Sequence, residues 1–453
     1  MTERNTAPLS FSSLEHRRVE ADFAAGALTT DAGALLLREA DRRLGLLDAL
    51  DRAIPDPRNP ALITHPQRAL LAQRVFGIAL GYEDLNDHST LRDDPLWQIL
   101  AEYQPDAKQP LASAPTLCRL ENRVARRALF DMAKVLVEQF ISSFAEPPES
   151  LVLDFDATDD PVHGHQEGRF FHGYYDNYCF LPLYVFCGDQ LLVPYLRTAG
   201  GDAARHTQAI LKLLVRRFRQ AWPQVRVIVR GDSGFCRWRL MQWCDGNGVG
   251  YIFGLARNSR VEALATPWTH AAATCWEMTH QPQRLFGEFS YAAGGWDRAR
   301  RVIVKAEHTA KGDNPRFVVS NLPGNPRGLY EVLYCGRGEM ENRIKEQQLM
   351  LFADRTSCHD FLANQFRLLL SAAAYVLVEA VRRLGLAGTQ LERAQVSTIR
   401  LRLFKVAALV IVSVRRVVLR LASGFPLQDL FGQVLQRLRG GNDPRGGVAA
   451  EGG

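Results

Sequence analysis

Two short apolar runs in the middle of this chain, each ending in aspartate, constrain its fold more than any other feature. The first is Ser150-Leu-Val-Leu-Asp-Phe-Asp-Ala-Thr158, which follows a break at Pro147-Pro148. The second is Val225-Arg-Val-Ile-Val229, which runs into Arg230-Gly-Asp-Ser-Gly-Phe235. Short runs rich in Val, Ile and Leu and bounded by turn residues predict buried strands. Between them lie an aromatic-rich, β-like stretch over 169–186, a strand over 190–196 and an amphipathic helix over 202–220. A helix over 236–247 and a strand over 250–255 follow.

Three strands followed by helix–strand–helix–strand predict an α/β fold with a ribonuclease-H-like mixed-sheet core. The flanks differ in texture. Leucines at three- and four-residue spacing from Thr30 to about Ala145, punctuated by prolines, predict an all-helical N-terminal domain over 1–145, with the first 30 residues partly irregular. The core then occupies 146–257. Residues 258–310, with Trp268, Trp276 and Trp296 and short strand-like pieces, read as a β-rich insertion. The core resumes over 311–385 with a strand at 316–320 and helices over 328–352 and 360–383. Residues 386–453 form a basic C-terminal region with a strand-like hairpin over 406–422 and a Gly-rich tail expected to be disordered.

A length of 453 residues fits about three domains, and 47% hydrophobic with 23% charged residues supports a sizeable core. The net charge is only +6, but residues 361–453 hold thirteen basic against five acidic side chains, leaving −2 for the rest. That skew suits a polyanion or a solvated basic face. The eight cysteines form no C-x-x-C pair and no zinc spacing, so they read as buried free thiols of a reducing compartment. The N-terminus lacks the form of a signal peptide, and the apolar run Val406–Val414 is too short to span a bilayer. A cytoplasmic, nucleoid-associated protein with no membrane partner is expected.

The chemistry lies in the carboxylates. Asp154 and Asp156, two apart on a strand, share a face, where a buried carboxylate is costly unless paired or metal-bound. Asp232 follows a buried strand between two glycines, at the kind of strand end where ligands bind. Read alone, the segment favours an aspartate that caps a turn or a helix. At 100° per residue, Tyr334, Arg337, Glu341, Lys345 and Gln348 fall on one helix face. Read alone that face suits a solvated i,i+4 Glu341–Lys345 pair.

Tyr334-x2-Arg337-x3-Glu341 resembles the Y-x2-R-x3-E part of the YREK motif of bacterial insertion-sequence transposases with a DDE core. Asp156-Ala-Thr158 and Arg230-Gly-Asp-Ser-Gly-Phe235 resemble the surroundings of their first and second carboxylates. The resemblance covers roughly residues 150–385. It implies that Asp156, Asp232 and Glu341 hold two Mg²⁺ ions, with Mn²⁺ able to substitute. It implies that Tyr334 and Arg337 contact DNA, and that Lys345 supplies a charge where the family's final lysine position is filled by Gln348. Asp154 remains the rival to Asp156. The implied activity is binding of terminal inverted repeats, metal-dependent cleavage and strand transfer on double-stranded transposon-end and target DNA, with a homodimer in the synaptic complex. The alternatives are a ribonuclease-H-like nuclease without strand transfer and a domesticated, non-catalytic DNA-binding protein.

Trp296 is a candidate base-stacking residue, whereas Trp268 and Trp276 suit a core. His163, His165 and His172 suit a turn beside the core better than a metal site. Arg415, Arg416 and Arg420 either touch DNA phosphates or line an exposed sheet face, and the Lys212/Arg216 helix carries the same two readings.

Overall fold

The computed structural model describes residues 8–105 and 109–440. The Gly-rich tail from 441 lies outside these. The chain divides into two compact units, one built from residues up to Leu120 and from Ala380 onward, the other from Glu121–Glu379.

The second unit is organised by one nine-stranded sheet. Its strands and helices are β1 (Ser150–Ala157), β2 (Leu183–Cys187), β3 (Gln190–Tyr195), α1 (Thr207–Ala221), β4 (Arg226–Gly231), α2 (Trp238–Gly246), β5 (Gly250–Leu255), α3 (Ser259–Thr279), β6 (Gln283–Tyr291), β7 (Arg300–Thr309), β8 (Arg316–Ser320), α4 (Gly338–Lys345) and α5 (Phe361–Ala380). The spatial order is β6-β7-β8-β5-β4-β1-β2-β3, with the two-residue strand Gly312–Asp313 on β7. β1, β4 and β5 run parallel, and β2 and β3 join antiparallel at one side. This is the ribonuclease-H-like mixed sheet read from the element order.

Strand periodicity decides what each face carries. Leu151, Leu153 and Phe155 of β1, with Val227 and Val229 of β4 and Tyr251 and Phe253 of β5, enter the main apolar core. Leu211, Leu214 and Phe218 of α1, Met241 of α2, and Val261 and Ala265 of α3 close over them. Each large side chain so buried stabilises by about 1.5–3 kcal/mol. The intervening residues Asp154, Asp156, Arg230 and Ile252 occupy the other face, where Ile252, Ile303 and Val318 meet Tyr330. The segment from Pro326 to Met350 covers that face in short helical turns, π-helical over Leu329–Tyr334, 3₁₀ over Cys335–Arg337 just before α4, and π-helical again over Glu346–Met350.

Four local readings need correction. Residues 259–279 are a 21-residue helix, capped by Asn258 Oδ1 on Val261 N at 3.1 Å, and β6 and β7 extend the central sheet, so the segment is no separate β-rich body. Its helix-spaced core positions are Val261, Ala265 and Ala272, which are less conspicuous than its tryptophans. Trp268 lies over Gly287, where a Cβ would fall 2.0 Å from the indole. The N-terminal part is not wholly helical, since Leu9–Leu14 and Arg17–Ala21, within the stretch expected to be partly irregular, form an antiparallel hairpin whose register shifts between Phe11 and Leu14. The cysteines are all free, but Cys118 and Cys335 are exposed rather than buried. The segment most like a membrane span is Phe361–Gly385 rather than Val406–Val414. It is long and apolar enough by composition, yet 78% of its apolar window is buried within the protein, as in a core helix.

In the first unit, helices Ala34–Leu44, Leu46–Ala53 and Gln67–Leu80 pack together, and Ala34–Leu44 also packs with the C-terminal helix Gln428–Leu438. The N-terminal and C-terminal parts of this unit are laced together. Ala32 N donates to Val406 O at 3.0 Å, and Gly33 N to Phe404 O at 3.1 Å. A Cβ at Gly33 would meet Leu403 O at 2.0 Å, so only glycine allows that approach. Lys405 Nζ pairs with Asp31 Oδ1 at 2.7 Å.

Candidate active site

Parallel pairing of β1 and β4 ends at Phe155 opposite Gly231. The next residue on each strand is an aspartate, so Asp156 and Asp232 emerge side by side at the carboxyl ends of neighbouring central strands. Asp232 turns the chain into a short 3₁₀ turn, its Oδ1 accepting from Gly234 N at 2.8 Å. Its other carboxylate oxygen takes no part in that cap.

The third carboxylate comes from α4. Arg337 Nη2 donates to Glu341 Oε1 at 3.0 Å, and Arg337 Nη1 stands 3.4 Å from Asp156 Oδ2. One guanidinium thus lies between the first and third carboxylates. Burial pushes the Asp156 carboxyl up to about 6. Arg337 pulls it down, and Asp232 and Glu341 push it further up, so all three carboxylates share one electrostatic neighbourhood. Nη1 of Arg337 is buried without a hydrogen-bond partner, so the fork has an unused donor facing the cluster.

Tyr334 completes the group. A Cβ on Gly254 of β5 would lie 2.7 Å from the Tyr334 hydroxyl and 2.9 Å from Ser233 N, so glycine there lets the phenol settle over the Asp232 turn. Burial raises its hydroxyl above the usual tyrosine range, with Arg337 opposing and Asp232 adding. Tyr330 packs against its ring at 5.5 Å.

Asp154, on the same face of β1, is engaged elsewhere. It is 2% exposed and bound through both oxygens by Arg230, its parallel neighbour on β4, with Nη2 to Oδ2 at 2.7 Å. Burial pushes its carboxyl up, and Arg230 pulls it back. Arg230 Nη1 also donates to Leu333 O. A Cβ on Gly336 would lie 2.7 Å from Nη1. The Asp154–Arg230 pair therefore fastens the start of the Tyr334–Glu341 segment to the two central strands. In the sequence Arg230 is visible only as part of the motif around Asp232. A cation at the inner end of a β-branched run, in register with a buried aspartate, is the signal that points to it.

The expected helix face is only partly realised. Tyr334, Arg337 and Glu341 meet the aspartates, while Lys345 is exposed. Gln348 turns inward and donates to Asp159 O at 3.0 Å, tying the helix to the loop after β1. Trp296 lies apart, its ring against Tyr291 at 5.5 Å and under Arg300 at 5.7 Å, in the connection between β6 and β7. His163, His165 and His172 lie around the small sheet Asp160–Pro161/Asn177–Phe180/Phe170–His172, and Arg169 Nη2 meets His165 Nδ1 at 2.8 Å.

Among the described residues, no group of three or more His, Cys, Asp or Glu side chains stands close enough to hold a metal ion. The donor chemistry of the cluster still fits a hard divalent cation. Asp156, Asp232 and Glu341 offer carboxylate oxygens alone, their charges repel, and Arg337 supplies the one positive charge between Asp156 and Glu341.

Residues 11–442 match the family described as transposase DDE domain group 1. No curated protein matches the chain. Among solved structures the chain resembles a piggyBac transposase synaptic complex with hairpin DNA, determined by cryo-EM. Identity is 10% and the TM-score 0.39, over 83% of this chain and 80% of that one.

Proposed function

The chain belongs to the transposase DDE domain group 1, and from that premise we propose that Asp156, Asp232 and Glu341 are the catalytic carboxylates of this DNA transposase. The observation that carries the reading is their convergence. Two adjacent parallel strands and one covering helix each deliver a carboxylate to the neighbourhood of Asp156. Asp154 is the weaker candidate because Arg230 occupies both its oxygens.

Members of this family generally use divalent metal ions. Bound by these three residues, two Mg²⁺ ions, or Mn²⁺ in their place, would activate the attacking water or 3′-hydroxyl and stabilise the leaving oxygen. The protein's own groups do the rest. Tyr334 and Arg337 border the carboxylates and present donors to a phosphate, with the planar guanidinium fork suited to two of its oxygens. Asp232, held by Gly234 N, keeps a fixed orientation. Asp154, Arg230 and Gln348 hold Glu341 at its distance from the strands. The substrates are the ends of the element and a target duplex. Cleavage at the end frees a 3′-hydroxyl that attacks the target, and synapsis of two ends requires at least two protomers.

Asp156→Ala, Asp232→Ala and Glu341→Ala are each expected to abolish Mg²⁺-dependent nicking of end DNA while binding persists. Full nicking in any one of these variants removes that residue from the site. Nicking lost in Asp154→Ala but kept in Asp156→Ala, with both variants folded, transfers the role to Asp154.

A further inference from the structure

From Arg393 to Gln428 the chain carries seven cations and no acid. Two are used inside the fold. Arg400 donates to the carbonyls of Ala79 and Ile78 at 2.8 and 3.3 Å, and Lys405 pairs with Asp31. Arg415, Arg416 and Arg420 sit on an exposed hairpin, Ala408–Ser413 with Arg416–Leu421, closed by the two-residue turn Val414-Arg415. Among the described residues none of these three makes an ion pair.

The register sorts the hairpin into two faces. Val410 pairs with Leu419 and Val412 with Val417 on one; at its base Ala408 and Leu419 pack with Ala32, Val406 and Phe425. On the other face Leu409 pairs with Arg420, Ile411 with Val418 and Ser413 with Arg416. Arg416 and Arg420 thus stand on one side of the same strand, about 13 Å apart at the rise of a strand, with Arg415 at the tip. That strand is the free edge of its three-stranded sheet, and Val414 at the turn is fully exposed.

An apolar edge strand invites pairing, and charge on it is a common safeguard. Safeguarding needs only charge; it does not require a 36-residue stretch without an acid. A second copy of the hairpin laid against this face would bring six arginines together. A polyanion neutralises this charge, and a two-stranded ribbon fits the major groove of a duplex.

We propose that the 408–421 hairpin is a DNA-contacting ribbon, in which Arg415, Arg416 and Arg420 bind backbone phosphates of duplex DNA. Only the choice of DNA as the polyanion rests on the reading above. Contact to phosphate carries no sequence information, so the ribbon contributes equally to end DNA and to arbitrary duplex.

The test compares the full chain with its Arg415→Ala/Arg416→Ala/Arg420→Ala variant by fluorescence anisotropy, on an end duplex and a scrambled duplex, across a salt series. Three lost phosphate contacts lower the slope of log affinity against log salt by about 2.7 and reduce affinity at 150 mM salt by on the order of a hundredfold, on both duplexes. The triple lysine variant keeps the slope. If the alanine variant aggregates, single Arg→Gln changes each lower the slope by about 0.9. An unchanged slope in folded variants overturns the proposal. So does a loss confined to the end duplex, which signals base reading, or a change in self-association without a change in slope, which makes the face a contact between copies. Wild-type nicking measured in parallel keeps the two readings apart, since a chain that fails to nick can still show the predicted slopes.

Discussion

Two groups of arginines in this chain meet opposite fates. Around the carboxylate cluster, Arg230 and Arg337 are held by acids of the same fold, Asp154 in one case and Asp156 and Glu341 in the other. On the C-terminal hairpin, Arg415, Arg416 and Arg420 meet no acid among the described residues. Burial explains the contrast. A charge taken out of water must be paired where it lies. A charge left in water has no such need and remains available to an outside partner. Removing an arginine from the first group therefore damages the fold or the site, whereas removing one from the second affects only what the protein binds.

The sharpest test is Arg230. Its side chain is 11% exposed and that of Asp154 3%. Arg230→Ala strands a buried carboxylate and is expected to lower unfolding free energy by about 3–5 kcal/mol in denaturant titrations. Adding Asp154→Leu to Arg230→Met should recover most of that loss, because an apolar pair has nothing left to compensate. A single Arg230→Ala variant as stable as wild type would abolish the distinction between the two groups.

Arg337 comes next. Arg337→Ala should slow nicking by on the order of a hundredfold, the usual scale for losing one charge-stabilising donor. Unfolding free energy should fall as well, since Asp156, 16% exposed, loses its counterion, but by less than at Arg230, because Glu341 is half exposed. Arg337→Lys should already be impaired, because an ammonium lacks the planar fork. Unchanged rates in both variants would reduce this arginine to a local counterion.

Asp41 extends the comparison to a buried acid in the unit that carries the hairpin. Burial pushes its carboxyl up to about 6, against the pull of Leu47 N–H, which donates to it at 2.8 Å, and of Arg68. The folded chain then keeps this proton through a window, roughly pH 4 to 6, where the unfolded chain has lost it. More protons on the folded state means that stability falls as pH rises through the window, by up to about 3 kcal/mol. Asp41→Asn keeps the acceptor for Leu47 N and should flatten that part of the stability profile. An unchanged profile places the carboxyl near its ordinary value.

The smallest effect belongs to Gln348. Gln348→Lys retains a donor for Asp159 O, so stability and nicking should stay within about 1 kcal/mol of wild type. Gln348→Leu loses the donor and should cost about that much. A large gain in nicking by Gln348→Lys would mean that the position can reach the substrate.

Much of this was legible in the chain, for reasons that can be named. The strands at 250–255 and 316–320 appear where predicted, because each is a short apolar run bounded by turn residues. The 259–279 helix was not legible, because its buried Val261, Ala265 and Ala272 are small and its Pro267 and tryptophans suggest otherwise. Cluster members Tyr334, Arg337 and Glu341 could be picked out by helical spacing. The same spacing placed Lys345 and Gln348 on that face too, and the π-helical turn after Lys345 takes Gln348 to the Asp159 carbonyl instead.

By itself the sequence determined the order of strands and helices, the strand ends that carry aspartate and the uneven distribution of charge. These depend on local periodicity and composition, which neighbouring residues express without help from distant ones. Tertiary structure alone decided that Asp154 goes to Arg230 while Asp156 remains beside Asp232 and Glu341. It also decided that residues near Ala32 and Val406 belong to one unit. Those outcomes depend on which strands become neighbours and in what register, and a contact between residues 76 or 374 positions apart leaves no periodic trace in the chain.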